Sequence, residues 1–136
     1  MQVNTYLLFD GNCEAAFKFY EENLGGKTLS MMRYEGSPAA AQVPSEWRNK
    51  ILHARMGIGD VVVMASDAPP GRYSAAQGFS VALGVDKPQE AERIFEALKH
   101  GGKVGMLLEK TFFAERFGMV VDRFGIPWMI LCENAA

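Results

Sequence analysis

The strongest constraint on the fold of this chain is a stretch of eighteen residues that occurs twice. Residues 10–27 read DGNCEAAFKFYEENLGGK, and residues 86–103 read DKPQEAERIFEALKHGGK. Seven of the eighteen aligned positions are identical, whereas two unrelated stretches of average composition would share about one. The chain therefore contains an internal duplication with an offset of 76 residues.

Each copy of the repeat predicts a helix that ends in a sharp turn. Apolar residues recur at helical spacing, with Phe95 and Leu98 closing the pattern in the second copy. Asp86 with Gln89 predicts a capping box at the start of that helix. Both copies end in Gly-Gly-Lys, and glycine supplies the left-handed residue at which helices commonly end.

Strand-like segments flank each predicted helix. They lie at 3–9, 28–34, 52–58 and 61–66 in the first half, and at 79–85, 104–110, 117–122 and 126–132 in the second. Short turns containing Gly59 and Gly125 join the last two strands of each half as hairpins. The offset between these glycines is 66, so the first half carries ten extra residues, which fall within a loop at 35–50.

The pattern predicts an α+β protein built from two βαβββ modules. Module 1 covers about 1–67 and module 2 about 78–134, within a single domain that spans 1–136. Each module makes a small mixed sheet with its helix on one face, so the other face is left to be covered. We expect the two modules to form one curved mixed sheet around a central cup.

Composition excludes several classes of partner. The net charge is -2, and no run of basic residues is interleaved with aromatic ones, so we expect no nucleic-acid partner. The longest aliphatic run, 61–65, is far too short to span a bilayer, and the N-terminal segment does not resemble a signal peptide. Two cysteines outside any CxxC pair argue against a disulfide scaffold. We expect a cytoplasmic protein without a membrane partner.

Four segments carry a resemblance to a known family: LLFDGNCEAAFKFY (7–20), HARMGIGDVVVMASDAPP (53–70), QGFSVALGVDKPQEAERIF (77–95) and ERFGMVVDRFGIPWMI (115–130). With the duplicated plan, they resemble the PhnB-like subgroup of the vicinal oxygen chelate superfamily. That superfamily includes glyoxalase I, bleomycin-resistance proteins and extradiol dioxygenases. The resemblance implies the cup-shaped fold and a homodimer, but no particular reaction.

The resemblance also implies where a metal would lie. Superfamily enzymes usually hold one divalent ion with residues on the first and last strands of each module. Those positions fall on Asn4 (or Thr5), Val63, Ser80 and Met129 in this sequence. None is a usual ligand of a divalent cation, which prefers imidazole or carboxylate donors. We therefore predict no metal and no other cofactor at this site.

His53 and Arg55 are the candidate catalytic residues. In HARMGI the alternate residues Ala54 and Met56 are apolar and should pack on a helix, so His53 and Arg55 should face the cup. His53 can act as an acid or base near neutral pH. Arg55 can hold a carboxylate or phosphate through two parallel hydrogen bonds. The alternative interpretation is a pair at a strand end that is satisfied by solvent or by a neighbouring carboxylate.

The predicted ligand-binding residues line a mostly apolar cup with a few polar groups. They are Asn4, Tyr6, Ser80, Arg116, Met119 and Met129. Val63 is expected on the same surface. Arg116 comes from the neighbouring segment TFFAERFGM, and it can either complement Arg55 or pair with an acid. Cys13 lies near a helix start, which can lower a thiol pKa, but a buried structural thiol is the preferred interpretation.

Three functions remain open from the sequence. The leading hypothesis is a small-molecule-binding protein without the superfamily metal, acting as a binder or as an enzyme. The second is a metal-dependent lyase, isomerase or dioxygenase with a relocated site around His53, helped by Asp67, Glu109 or Asp122. The third is a sequestering protein of the bleomycin-resistance type. Homodimerisation is expected under all three, since open sheet edges gain from a partner.

Overall fold

In the computed structural model, residues 1–134 are described, and they belong to two compact units. The first unit is Met1–Ser74, and the second begins at Ala75. Each contains one helix and a four-stranded mixed sheet in the order strand, helix and three strands. The α+β class and the duplicated βαβββ plan are therefore confirmed.

The first unit has two parallel strands at one edge of its sheet. Its elements are β1 (Tyr6–Phe9), α1 (Cys13–Leu24), β2 (Lys27–Arg33), β3 (Ile51–Ile58) and β4 (Val61–Asp67). The strand order is β1-β4-β3-β2, with β1 parallel to β4 and the other neighbours antiparallel. As predicted, the extra residues of this half form a loop, which lies between β2 and β3 and contains two short 3₁₀ turns.

The second unit repeats this arrangement. Its elements are β5 (Val81–Val85), α2 (Pro88–Lys99), β6 (Lys103–Glu109), β7 (Ala114–Val121) and β8 (Pro127–Glu133), in the order β5-β8-β7-β6. β7 starts three residues before the predicted strand because Ala114 and Arg116 pair with the end of β8. The first strand of each half starts later than predicted, since pairing with β4 and β8 begins only at Tyr6 and Val81. No helix within residues 1–134 is long and apolar enough to cross a membrane.

One face of the first sheet is buried on the side of α1. Ala54 and Met56 of β3 are register partners of Ala65 and Val63 of β4, and all four are 5% exposed or less. Asp67, two residues beyond Ala65, accepts a hydrogen bond from the first backbone N–H of α1. This face is therefore the helix side, and strand alternation places the neighbouring residues on the opposite, open side.

The second sheet also has a helix side. Trp128, Ile130 and Cys132 of β8 are at most 1% exposed. Gly118 of β7, the register partner of Ile130, lies under the ring of Phe95 in α2. A Cβ atom at Gly118 would stand 3.0 Å from that ring, so glycine lets the helix approach the sheet closely.

The two modules correspond with different offsets in different strands. Leu7 of β1 pairs with Ala65, and Leu83, its counterpart 76 residues later, pairs with Ile130. The last strands therefore correspond with an offset of 65, not the 66 inferred from the turn glycines. The two glycines are not equivalent, because the turn between β7 and β8 has five residues, 122–126, and the turn between β3 and β4 has two, 59–60.

Both glycines of the repeated Gly-Gly pair have a structural reason. Gly25 and Gly101 have φ values of 68° and 73°, in the left-handed region that glycine adopts without strain. Gly26 and Gly102 are short of space instead. A Cβ at Gly26 would meet a methionine sulfur of β3 at 2.6 Å, and one at Gly102 would overlap the carbonyl oxygen of Val121.

The predicted capping box at the start of α2 is wrong. The N-cap residue is Lys87, whose side chain makes no capping hydrogen bond, and the helix begins at Pro88. Proline suits this first position because it has no N–H to leave unpaired. The helix ends at Lys99, with His100 as its C-cap residue just before the Gly-Gly pair.

Candidate functional site

Three predicted site residues lie on the open side of the first sheet. Tyr6 of β1 and Arg55 of β3 are both register partners of Met64, which lies on the strand between them. His53 lies two residues from Arg55 on β3, so its side chain faces the same side. The structure therefore brings Tyr6, His53 and Arg55 onto one surface, called here the open-face cluster.

Tyr6 and His53 are hydrogen bonded to each other. Tyr6 Oη lies 3.0 Å from His53 Nδ1, and the two ring centroids are 5.7 Å apart. Either the phenol donates to the imidazole or the imidazole N–H donates to the phenol, depending on the tautomer. No hydrogen bond within residues 1–134 engages His53 Nε2. A ligand can therefore form hydrogen bonds with Nε2 of the imidazole and with the phenol oxygen at the same time.

Arg55 is an exposed cation on this surface. Its guanidinium makes no hydrogen bond or ion pair with any described residue. By contrast, Arg33, Arg93 and Arg116 each pair with a carboxylate. The five N–H donors of Arg55 therefore remain available for a planar anion such as a carboxylate.

Asn4 lies at the edge of the open-face cluster, in the segment before β1. Its side-chain amide donates to the carbonyl oxygen of Val62 at 3.0 Å. The next residue, Thr5, accepts a backbone hydrogen bond from Met64 at 2.9 Å. The Asn4 nitrogen is thus used to hold the chain against β4, and only its carbonyl oxygen is left for a ligand.

In the second unit, three predicted site residues share the open side of the sheet or its edge. Met129 of β8 is the register partner of both Met119 and Ala82, so these residues form one row across the sheet. Ser80 lies two residues before Ala82, just ahead of β5, and is partly exposed.

Arg116 lies on the other side of the second sheet. It is the register partner of the buried Cys132, and its guanidinium donates to Glu92 of α2 at 2.9 and 3.1 Å. Of the two alternatives for Arg116, the structure shows pairing with an acid. The alternation of side chains along β7 is enough to predict this, because Arg116 is three residues from Met119 and so faces the opposite side of the sheet.

The residues at the positions where superfamily enzymes usually hold a divalent ion do not fit a metal. The prediction that Val63 faces the cup is wrong, because it lies on the helix side and is 5% exposed. With the offset of 65, the open-side counterpart of Met129 is Met64. Thioether sulfurs are poor ligands for hard or borderline divalent cations. Among residues 1–134, no group of three or more His, Cys, Asp or Glu side chains is placed to hold a metal ion.

Two of the acids proposed to assist a relocated metal are engaged elsewhere. Asp67 accepts the backbone N–H groups of Cys13 and Ile51 at 2.9 and 2.8 Å. Asp122 accepts two backbone N–H groups of its own turn and the indole N–H of Trp128. Both carboxylates are at most 3% exposed and stabilise the fold, and Asp67 lies on the helix side of its own sheet.

Cys13 has the character of a buried structural thiol. Its side chain is fully buried, and burial raises its pKa far above the ordinary value, with the nearby Asp67 and Glu14 adding to the increase. The thiolate that nucleophilic chemistry requires is therefore disfavoured. The preferred interpretation from the sequence is confirmed, and the alternative of a lowered pKa is wrong.

Comparisons with known proteins agree with this fold. The family model described as 3-demethylubiquinone-9 3-methyltransferase matches residues 1–131. The crystal structure of protein PA1353 from Pseudomonas aeruginosa is 45% identical and covers 99% of both chains, with a TM-score of 0.88.

Two further solved structures are similar in fold alone. One is described as a putative 3-demethylubiquinone-9 3-methyltransferase, PhnB protein, from Bacillus cereus, with 21% identity, a TM-score of 0.83 and coverage of 97% and 99%. The other is a glyoxylase/bleomycin resistance protein/dioxygenase domain from Frankia sp. EAN1pec, with 13% identity, a TM-score of 0.70 and 98% coverage of both chains.

Proposed function

Since the chain belongs to the PhnB-like family described as 3-demethylubiquinone-9 3-methyltransferase, with the fold of the glyoxalase/bleomycin resistance/dioxygenase proteins, we propose that it binds a small molecule without the superfamily metal. The observation that supports this most is the open-face cluster. It combines a hydrogen-bonded Tyr6–His53 pair with an arginine that has no partner among the described residues. Ionisable groups on a partly apolar surface are frequent at ligand sites.

The proposed ligand carries an anionic oxygen group beside an apolar body. Arg55 holds the anion through its guanidinium, and Tyr6 orients a neighbouring oxygen. The carbonyl oxygen of Asn4 adds a polar contact in the same unit. In the second unit, Met119 and Met129 form an apolar row with Ser80 beside it. Where the bound molecule reacts, His53 is the group that accepts or donates a proton.

A metal-independent site follows from the donor chemistry. Met64 and Met129 occupy the open-side positions where a ligand of the metal is expected, and the Asn4 amide nitrogen is held by a backbone carbonyl. A relocated metal at His53 gains no support from Asp67 or Asp122, which are satisfied by other groups.

Methyl transfer is not the function that the residues favour. A glycine-rich turn between a strand and a helix is the common mark of a nucleotide site. The segments that follow β1 and β5, at 10–12 and 86–87, contain one glycine between them. The repeated Gly-Gly pairs lie after the helices, where they end them.

We also propose a homodimer in the cytoplasm. Strands β1 and β2 are the edges of the first sheet, and the exposed apolar residues Leu29 and Met32 lie on one of them. An exposed sheet edge presents unpaired backbone groups that a second chain can cover. Cys13 and Cys132 are free thiols, which suits a reducing compartment. Analytical ultracentrifugation should give about twice the chain mass of 15.0 kDa.

Metal content and ligand binding test the proposal together. Elemental analysis of the purified protein should find far less than one metal per chain, and divalent metals should not raise its melting temperature. One tightly held metal per chain would refute the metal-free site and would make His53 the first residue to mutate.

A thermal-shift screen of anionic and aromatic metabolites should then find molecules that stabilise the wild type but not Arg55→Ala. The matched control is Arg93→Ala, which removes an arginine that is paired with Glu90 on α2. Loss of stabilisation in both variants would indicate a general charge effect. Product analysis with the best molecule separates a sequestering protein, which releases it unchanged, from an enzyme.

A further inference from the structure

The strand residues on the open side of the first sheet include no carboxylate. Arg55 and Tyr6 lie in one row across this side, and Lys27 pairs with Gly57, two residues farther along β3. The other strand residues on this side are apolar, apart from His53 and two serines. The arginine and the lysine therefore give this side a positive charge, which favours a dianion over a monoanion.

The free hydrogen-bonding groups of His53 and Arg55 are donors. Arg55 offers five N–H groups, none of which is paired with a described residue. In the Tyr6–His53 pair, a phenol is a stronger acid than a neutral imidazole N–H, and the ring nitrogen is the better acceptor. The phenol therefore donates to Nδ1, so the single N–H of the neutral imidazole lies on Nε2. A ligand meets N–H donors at both residues, and these require acceptor atoms.

The two donors are separated by a distance that a short carbon chain can span. His53 and Arg55 are two residues apart on β3, so their Cα atoms are about 6.6 Å apart along the strand. An extended chain with three or four carbons between two carboxyl groups spans about 5 to 6 Å. Met64, the partly exposed register partner of Arg55, offers an apolar contact for such a chain. This length matches the spacing better than two oxygens on neighbouring carbons do.

We propose that the ligand of the open-face cluster is a dicarboxylate with three or four carbons between its carboxyl groups, an inference that rests on the function proposed above. Arg55 binds one carboxylate through two parallel N–H donors, and Nε2–H of His53 donates to the other. Tyr6 is a positioning residue. It holds the imidazole in the tautomer that donates, and it orients the ligand oxygen through His53.

NMR of the two histidines tests the role of Tyr6 without any ligand. Long-range ¹H–¹⁵N spectra at about pH 8.5, where an ordinary histidine is neutral, distinguish protonated from unprotonated ring nitrogens. We expect His53 almost entirely in the Nε2–H form in the wild type, and in both forms in Tyr6→Phe. The exposed His100 should give the same spectrum in both proteins. A His53 ring that is mainly protonated at Nδ1 would overturn the proposal.

Titration with small acids at constant ionic strength, followed by the same histidine signals, tests the ligand class. Glutarate and adipate have the proposed length, and pentanoate lacks the second carboxylate. Malonate is the matched charge control, because it is a dianion with one carbon between its carboxyl groups. Glutarate or adipate should shift the signals of His53 but not of His100, should saturate, and should bind about tenfold more tightly than pentanoate or malonate. In 5-aminopentanoate an ammonium donor replaces the second acceptor, so this acid should bind no better than pentanoate.

Four substitutions assign the contacts, with calorimetry as the measurement. His53→Phe keeps a ring without an N–H group and should reduce the affinity for glutarate to that for pentanoate. Tyr6→Phe should weaken glutarate about twofold if half of the rings keep the donating tautomer, and should leave pentanoate unchanged. Lys27→Gln should weaken glutarate and malonate by the same factor, because Lys27 contributes charge and not spacing. His100→Phe is the matched control and should bind as the wild type does.

Failure of this proposal is distinguishable from failure of the proposed function. If pentanoate and glutarate bind equally well and Arg55→Ala abolishes both, the anion site stands and the dicarboxylate class is wrong. If malonate binds as tightly as glutarate, charge alone explains the affinity, and the proposal is overturned. If none of these acids binds, the dicarboxylate class is also overturned, and the proposed function is then decided by the metabolite screen with Arg55→Ala.

Discussion

Asp67 shows how a single buried side chain connects distant parts of the first module. Its two carboxylate oxygens accept the N–H groups that begin α1 and β3, and its own backbone carbonyl accepts the hydroxyl of Tyr34. A carboxylate in this position satisfies two buried donors that would otherwise be unpaired. It therefore stabilises three elements at once.

Asp67→Asn should lower the free energy of unfolding by about 1 to 3 kcal/mol. The amide keeps one acceptor oxygen but turns an NH₂ group toward a backbone N–H donor. Urea denaturation measures the change. Asp60→Asn, in an exposed turn, is the control and should be close to the wild type. Equal stability of both variants would show that the two hydrogen bonds of Asp67 contribute little.

The Glu14–Arg33 pair should give the stability a weak dependence on pH. The hydrogen bond from Arg33 holds the pKa of Glu14 below its usual range, and the two side chains are about 40% exposed. A lowered pKa in the folded state means that the ionised form stabilises the fold. The contribution is complete above the ordinary pKa near 4.3 and is lost as the pH falls through the lower folded value.

Glu14→Gln should therefore cost less than about 1 kcal/mol at pH 7, because exposed ion pairs are screened by solvent. The difference from the wild type should shrink in urea titrations as the pH falls below the ordinary pKa near 4.3, and it should vanish once the pH is below the lowered pKa of Glu14 in the folded protein. Glu21→Gln, an exposed residue of the same helix, serves as the comparison. A cost that persists unchanged at low pH would contradict the role of the ionised pair.

Side-chain direction explains which site residues the sequence can predict. Alternation along 52–58 correctly places His53 and Arg55 opposite Ala54 and Met56. It does not reveal the Tyr6–His53 hydrogen bond, because the parallel pairing of β1 with β4 has no local signal. The sequence misplaces Val63 for a different reason, since the offset of 66 between the turn glycines matches Val63 with Met129, whereas the hydrogen-bonded partners match Met64 with Met129.

At the scale of elements, the helix ends are the most predictable part of this fold. Glycine is needed at Gly25 and Gly101 for a left-handed backbone, and at Gly26 and Gly102 for space. The helix starts are less predictable. Proline suits the first turn of α2 without any capping side chain, so the sequence pattern at Asp86 had no structural counterpart.

Gly102→Ala should destabilise the protein more than Gly26→Ala. The added Cβ at Gly102 meets fixed backbone atoms of Val121 and Leu98, whereas at Gly26 it meets the flexible side chain of Met56. Overpacking of this kind costs about 1 to 3 kcal/mol, and we expect Gly102→Ala at the upper end. Thermal and urea unfolding of the two variants measure the order, and a larger loss for Gly26→Ala would refute the explanation.

At the scale of the molecule, the duplicated plan could be predicted because it rests on redundancy. The same helix and the same Gly-Gly ending occur twice, so an uncertain strand in one half is supported by its counterpart in the other. Exact strand limits could not be predicted, since they depend on where the neighbouring strand provides hydrogen-bonding partners.

The prediction of a single domain has a direct test in unfolding experiments. Trp47 lies in the first unit and Trp128 in the second, and they are the two tryptophans of the chain. In Trp47→Phe, fluorescence therefore reports the second unit, while circular dichroism reports both. A single domain predicts that the two signals change at the same urea concentration. Separate midpoints would show that the units unfold independently.

The longer turn between β7 and β8 has a consequence for how the two halves of such a chain diverge. A turn at the rim of a sheet can gain residues while the paired strands keep their places, so a duplicated gene can accept this change at little cost. Yet an odd number of added residues swaps the two faces of the sheet for every residue whose counterpart is found by counting along the chain through the turn. Residues of the two halves should therefore be matched strand by strand. A role assigned in one half applies in the other only to the residue that has the equivalent hydrogen-bonded neighbours.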